Sequence, residues 1–312
     1  MISNKEKNFI SAVIYVYNNE KEIYEVLTKI NEILKQNFNK YEIICVNDAS
    51  TDNSAKQIEK FSKELENEVL SVVNMSYYQG MELAMNAGVD LAIGDFVYEF
   101  DNIMNDYKKD VIMDVYYKCL EGYDIVSASS KRNKTKTSSI FYKIFNAYSK
   151  MQYKLHTETF RILSRRAINR VHSMNKNIPY RKAIYANCGL KIYNMLYTPS
   201  NKEKRIFNKQ VQKTRKETAI NSLILFTNIG YKFSIVMSLI MTLMTIIVAF
   251  YTISVFVTGT PVQGWTTTML FLSFAFFGLF TIMAIIIKYL EILVNITFKK
   301  SKYTIESIDK LN

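Results

Sequence analysis

The chain has 312 residues, 49% of them hydrophobic, and 40 Lys and Arg against 28 Asp and Glu give a net charge of +12. Three scattered cysteines (Cys45, Cys119, Cys188) and two distant histidines (His156, His172) exclude a disulfide framework and a zinc site. The basic excess comes without any nucleic-acid recognition motif, so anionic lipid and phosphorylated substrates are the expected partners and nucleic acid is not.

Hydrophobicity is unevenly spread. Residues 1 to about 228 mix charge and apolar side chains as a soluble domain does, and 233–257 and 267–287 carry no charge at all. At 1.5 Å per residue each charge-free run is long enough for a hydrocarbon core of about 30 Å. Near the N-terminus, FISAVIYVY is too short to span and lacks a small-residue cleavage site, so it reads as a strand and not as a signal peptide. Lys213, Arg215, Lys216 and Lys232 precede the first run, and Lys288, Lys299, Lys300 and Lys302 lie in or after the end of the second. The positive-inside rule then puts both termini in the cytosol, with uncharged TGTPVQGWTT as the outer loop and Trp265 as its interfacial anchor.

In chain order, FISAVIYVY is a near-continuous apolar, β-branched run, as in a strand buried on both faces. Asn18-Asn19-Glu20 opens a helix whose Ile23, Val26, Leu27, Ile30 and Leu34 form one stripe. YEIICVND is a second buried strand, and Ser50-Thr51-Asp52 caps a helix carrying Ile58, Phe61 and Leu65. A third strand over 69–73, a third helix over 81–92 and a fourth strand over 95–100 follow. That alternation predicts an α/β, mostly parallel sheet with helices on both faces and ligands at the carboxyl ends of its strands. The polar groups Asn47-Asp48 and Asp101-Asn102 fall at those ends.

Further on, 123–127 reads as a strand, and the basic SSKRNKTKTSS as a loop, either a solvated charge run or a clamp for phosphate. FRILSRRAI reads as a short strand entering a helix. Residues 208–228 begin basic and turn apolar, as in an amphipathic helix lying on a membrane surface.

Taken in order, SAVIYVYNNEKEIYEVL, YEIICVNDASTDNS and GMELAMNAGVDLAIGDFVYEFD resemble the family-2 glycosyltransferases with a GT-A fold. FRILSRRAI and the tail KYLEILVNITFKKSKYTIES resemble its polyprenyl-phosphate branch, which includes dolichyl-phosphate mannose synthase. The resemblance implies a Rossmann-like GT-A domain over 1–207 and a juxtamembrane helix over 208–232. Transmembrane helices over 233–257 and 267–294 would follow, joined by an extracytoplasmic loop over 258–266, with a basic cytosolic tail over 295–312. It implies a multi-pass protein of the bacterial inner membrane that moves a sugar from a nucleotide-sugar donor to polyprenyl phosphate or another lipid-linked acceptor in cell-envelope synthesis. A homo-oligomer is compatible with this reading.

By the same resemblance, Tyr17, Asn18, Glu20, Asp48, Asp101 and Asn102 would bind the nucleotide-sugar, with Asp48 accepting from the base. Asp101, Glu158 and Arg161 would form the catalytic group, and Lys131, Arg132 and Arg165 would face the acceptor phosphate. Asp101 with Asp106 would hold Mg²⁺ or Mn²⁺.

Four positions depart from the family pattern. Asn47 and Ala49 replace the first Asp and the Gly of the turn after the second strand. Ile103 stands at the second Asp of Asp-x-Asp, which removes a hard oxygen ligand. Thr159 stands at the expected base, beside Glu158. A phosphate monoester is already a nucleophile at neutral pH, so the loss of a base matters less than it would for a sugar hydroxyl. The alternatives are a catalytically impaired relative kept as a binding or scaffold subunit, and a transferase acting on a lipid-linked oligosaccharide or a protein.

Overall fold

The computed structural model describes residues 5–131, 136–149, 151–174, 180–200, 209–258, 264–298 and 303–311. The expected contact Arg132 lies outside them. Two compact units emerge, one from 1–147, 151–219 and 300–312, the other from 148–150 and 220–299.

The first unit opens β1 (Glu6–Val16), α1 (Ile23–Asn37), β2 (Phe38–Asn47), α2 (Ser54–Ser62), β3 (Val69–Met75), α3 (Met81–Leu91) and β4 (Phe96–Phe100). It continues with α4 (Asp110–Leu120), β5 (Ile125–Ser130), α5 (Lys136–Tyr148), β6 (Phe160–Ser164), α6 (Arg165–Ser173), α7 (Arg181–Ala186) and β7 (Ile192–Tyr197). The helix α8 (Lys209–Phe226) leads to α9 (Ile229–Thr258) and α10 (Trp265–Phe298), and β8 (Ile305–Lys310) ends the chain.

One eight-stranded sheet has the order β7-β5-β6-β4-β1-β2-β3-β8. The β4-β1-β2-β3 block and the β5-β7 pair are parallel, as the alternation of strands and helices predicts. β6 and β8 run antiparallel to their neighbours. The apolar core lies on both faces. One cluster joins β1 and β2 to the stripes of α1 and α4 through Ile14, Leu27, Ile43 and Tyr116; the other joins Val13, Val46, Met85 and Ile168 over α3 and α6.

Two glycines permit that packing. A Cβ on Gly88 would meet Val13 at 2.4 Å, so α3 sits closer to β1 than any other residue allows. A Cβ on Gly94 would meet the backbone N of Ser11 at 2.6 Å.

Within the second unit, α9 and α10 cover the two charge-free stretches. Gly278 of α10 lies against Met241 of α9, and Gly230 of α9 lies against Tyr289 of α10. As the contact runs back along α9 it runs forward along α10, so the helices pair antiparallel, as a hairpin requires. Among the described residues, no helix is long and apolar enough to cross a membrane.

Two expectations change. α8 does not carry an apolar stripe: its basic residues occupy the first half and Ile220–Phe226 the second, so polarity changes along the axis and not around it. The tail is not a free basic segment either, since Ile305–Lys310 hydrogen-bonds along β3 as the sheet's edge strand.

Candidate functional site

The carboxyl ends of β1, β2 and β4 meet at one edge of the sheet. There the loop after β1 and the turn after β2 are interlocked. Asn18 takes φ 53° and Ala49 φ 54°, left-handed conformations that Asn tolerates better than most residues. Asn18 Oδ1 accepts from Thr51 N at 2.8 Å, Glu20 Oε2 from Asn53 N at 3.0 Å, and Glu20 N donates to Asp52 Oδ2 at 3.0 Å. Asn18 and Glu20 therefore shape the turn, and Tyr17, partly exposed, packs its ring 4.5 Å from that of Tyr78.

Asp48 is fully buried. It accepts from Gln79 N and Gly80 N at 2.8 Å and from Tyr15 Oη at 2.9 Å, closing the start of α3. Burial raises its carboxyl above the usual range, although these three donors pull the other way. Asp48 is thus committed to the start of α3, and its contact to a nucleotide base stays a proposal.

Asp101 sits just past β4, on which Glu99 points to the same side of the sheet, two residues earlier. Because β6 runs antiparallel, its first residues lie beside the end of β4, and Arg161 pairs in register with Glu99. Arg161 is 1% exposed and donates to three carboxylates: Glu99, Asp101, and Glu158 Oε2 at 2.9 Å. Arg181, which opens α7, is 2% exposed. Its Nη2 donates to Asp101 Oδ1 at 2.5 Å and to Glu99 Oε2 at 3.3 Å, and its backbone N to Glu82 Oε2 at 2.9 Å. Tyr185 Oη donates to Glu99 Oε1 at 2.6 Å, and Lys182 Nζ stands 3.6 Å from Glu158.

Four carboxylates thus face two guanidinia and an ammonium. Burial alone would raise the Asp101 carboxyl, but Arg161, Arg181 and Lys182 outweigh it and hold it well below the usual carboxylate range. Glu82 moves the other way: burial raises its carboxyl more than Arg181 lowers it.

A pocket of about 40 Å³ opens beside this cluster, lined in part by Ser127, Lys154, His156, Glu158, Arg161, Lys182 and Tyr185. That volume holds about three waters, far less than a sugar nucleotide fills.

The remaining expected residues separate into two groups. Lys131, exposed, follows β5 at the site's end of the sheet, and Asn102 Nδ2 donates to Thr159 O at 3.3 Å. Arg165, expected at an acceptor phosphate, is at the opposite end of β6. Its guanidinium holds Ala92 O at 2.9 Å and Gly94 O at 3.0 Å, where β4 begins. Four residues along an antiparallel strand carry it away from Asp101, and that expectation is corrected.

A divalent cation at Asp101 and Asp106 is not what this donor set fits. Asp101 gives both oxygens to guanidinia, and Asp106 Oδ1 accepts from Tyr197 Oη at 2.7 Å. Thr159 Oγ1 shares that hydroxyl at 2.7 Å. Among the described residues no three His, Cys, Asp or Glu side chains gather as they would around a metal ion.

Sequence reasoning missed Glu82, Glu99, Arg181, Lys182 and Tyr185. Glu99 left a signal, a lone charge inside the apolar run FVYEF; a buried charge requires a partner.

Comparison with known proteins agrees with this architecture. An uncharacterized glycosyltransferase of Synechocystis is 30% identical over 188 residues, spanning 58% of this chain and 58% of that protein. The undecaprenyl-phosphate 4-deoxy-4-formamido-L-arabinose transferase of Proteus mirabilis is 34% identical over 128 residues, 41% of this chain and 38% of the relative. The chain therefore matches about half, or less, of these relatives' lengths. Among solved structures, a Pyrobaculum calidifontis mannosyltransferase in complex with GDP-Man and Mn²⁺ superposes with a TM-score of 0.50 at 14% identity, over 70% of this chain and 63% of that one. Such a likeness concerns the fold. The model of the family described as "Glycosyl transferase family 2" matches residues 11–189, more than half of the sequence, and the chain belongs to that family.

Proposed function

We propose that the chain transfers a sugar from a nucleotide-sugar to a lipid-linked phosphate, most simply polyprenyl phosphate, at the cytosolic face of a bacterial membrane. The observation that carries this reading is the buried cluster of Arg161 and Arg181 against Glu99 and Asp101, at the carboxyl edge of a GT-A sheet. A phosphate oxygen of the acceptor attacks the anomeric carbon, the carbon–oxygen bond to the diphosphate breaks, and the diphosphate leaves with the electron pair. Fixed positive charge near that leaving group lowers the barrier. Lys131 and the Lys154 and Lys182 lining of the pocket supply a cationic approach for the acceptor phosphate.

Membrane anchoring is part of the proposal. It is supported by the absence of charge over 233–257 and 267–287, by the antiparallel pairing of α9 with α10, and by the basic residues flanking both. The undecaprenyl-phosphate acceptor in the name of the Proteus mirabilis relative supports the acceptor class.

The test is transfer by the detergent-purified full chain. Undecaprenyl phosphate is incubated with radiolabelled UDP-, GDP- and dTDP-sugars, and label is followed into the organic phase. Lipid-phase label that disappears in Asp101→Ala supports the assignment. Nucleotide binding without any transfer, whichever sugar is offered, points to the scaffold role instead, consistent with Ile103 and Thr159 at the altered positions.

A further inference from the structure

A divalent cation needs oxygen lone pairs free to turn toward it. At the end of β4 they are already engaged, with Asp101 accepting from both Arg161 and Arg181. Position 103 offers no oxygen, because Ile103 packs against the apolar core. A departing diphosphate still requires positive charge near it, and the cationic groups here are two guanidinia and the Lys182 ammonium, each already paired with a carboxylate.

Arg181 is only partly used. Its backbone N and Nη2 are pinned by Glu82 and Asp101, whereas Nε and Nη1 are buried without a hydrogen-bond partner among the described residues. Nε lies 3.8 Å from Glu82 Oε2, beyond hydrogen-bond reach. Unmet donors on a buried cation are costly, and few native structures keep them without an acceptor that arrives by other means. The unmet Nε–H and Nη1–H lie on different edges of the guanidinium, either side of the engaged Nη2, so each can donate to a separate phosphate oxygen. The pocket lined by Arg161, Lys182 and Tyr185 reaches the same cluster.

We propose that Arg181, oriented by Asp101 and Glu82, binds the diphosphate of the nucleotide-sugar directly and supplies the charge that a divalent cation would otherwise bring. The inference rests on the reading of the chain as a nucleotide-sugar-dependent transferase. Asp101 then acts as a positioning residue for the two arginines, and nucleotide affinity is independent of Mn²⁺ and Mg²⁺.

The experiment is calorimetric titration of the detergent-purified full chain with UDP, GDP, CDP and dTDP, in EDTA and again in Mn²⁺. One nucleotide is expected to bind with affinities equal within about twofold in the two buffers. Arg181→Gln is expected to weaken it about 10- to 100-fold, the loss of one or two charge-assisted hydrogen bonds. Arg181→Lys, which keeps the charge but offers one donor nitrogen in place of three, should recover only part of that. If Arg181→Gln does not fold, the EDTA and Mn²⁺ titrations of the unaltered chain decide alone. Binding that requires Mn²⁺, or that survives Arg181→Gln unchanged, overturns the inference and leaves the proposed function standing. Absence of binding by every nucleotide in both buffers overturns the proposed function itself.

Discussion

Replacing Glu99 by Gln removes a charge from the most enclosed part of the site while keeping its shape. Glu99 is fully buried and accepts from Arg161, from Arg181 at 3.3 Å and from Tyr185 Oη at 2.6 Å. An amide oxygen can still receive the tyrosine, but its NH₂ has nothing to give a guanidinium. Removing one member of a buried ion pair costs about 3–5 kcal/mol, and the retained tyrosine bond puts this case near about 3 kcal/mol. At about 2–4 °C per kcal/mol for a domain of this size, Tm should fall by about 6–12 °C. Differential scanning fluorimetry of the two proteins side by side measures it. The double variant Glu99→Leu/Arg161→Met should then lose less than the sum of its single changes, since the Glu99–Arg161 contact is counted in both single losses. A Tm drop under about 2 °C for Glu99→Gln, or strict additivity in the cycle, would refute the claim that these charges depend on one another.

Four further outcomes follow from the geometry. Arg165→Ala should destabilise by about 1–3 kcal/mol, because Ala92 O and Gly94 O lose their donor, yet leave nucleotide affinity unchanged in a binding titration. Gly94→Ala should cost about 1–3 kcal/mol in urea unfolding, since its methyl would stand 2.6 Å from Ser11 N and 2.8 Å from Phe9 O, both backbone. Burial pushes the Cys45 and Cys119 thiols up to about 12, and Cys188 is also buried and raised. A disulfide-exchange reagent should therefore label none of the three until the chain is unfolded. Burial would raise Glu68, but Lys35 and the N–H groups of Glu66 and Asn67 pull its carboxyl from 4.5 to about 2. Its stabilising contribution is complete above pH 4.5 and lost as pH falls toward 2, so Glu68→Gln should flatten the decline in urea midpoint between about pH 5 and about pH 3.

The strands that the sequence reveals well are those buried on both faces. FISAVIYVY, YEIICVN and FVYEF are continuous apolar runs, and nothing but a central strand accommodates them between two helical layers. Periodicity carries no information about strand direction, which is why Arg161 and Arg165 were both expected at the site: they share a segment, and only the antiparallel placement of β6 sends one to the site and the other away. Asp101 was legible as a carboxylate ending a strand. Its partner Arg181 was not, because 80 residues separate them and no local pattern encodes the contact. Asp48 was legible as a carboxylate ending a buried strand, but its hold on the start of α3 was not, since a turn carboxylate that caps a distant helix looks the same in sequence as one that meets a ligand. The strand β8 was hidden because IESIDK is half polar, as an edge strand with one solvated face should be.

That edge strand makes the first unit discontinuous in the chain. Its last piece, 300–312, is encoded after the helical hairpin, yet it hydrogen-bonds to β3, and Asn74 Nδ2 donates to both Ser307 Oγ at 3.0 Å and Asp309 Oδ2 at 2.7 Å. For fragment design, cutting before the hairpin does not liberate an intact domain. A piece ending at residue 219 would bare the whole length of β3, a ready template for intermolecular pairing, and should aggregate. Joining 1–219 to 303–312 through a flexible linker restores the missing border without the hairpin, and is the architecture from which a hairpin-free version should be built.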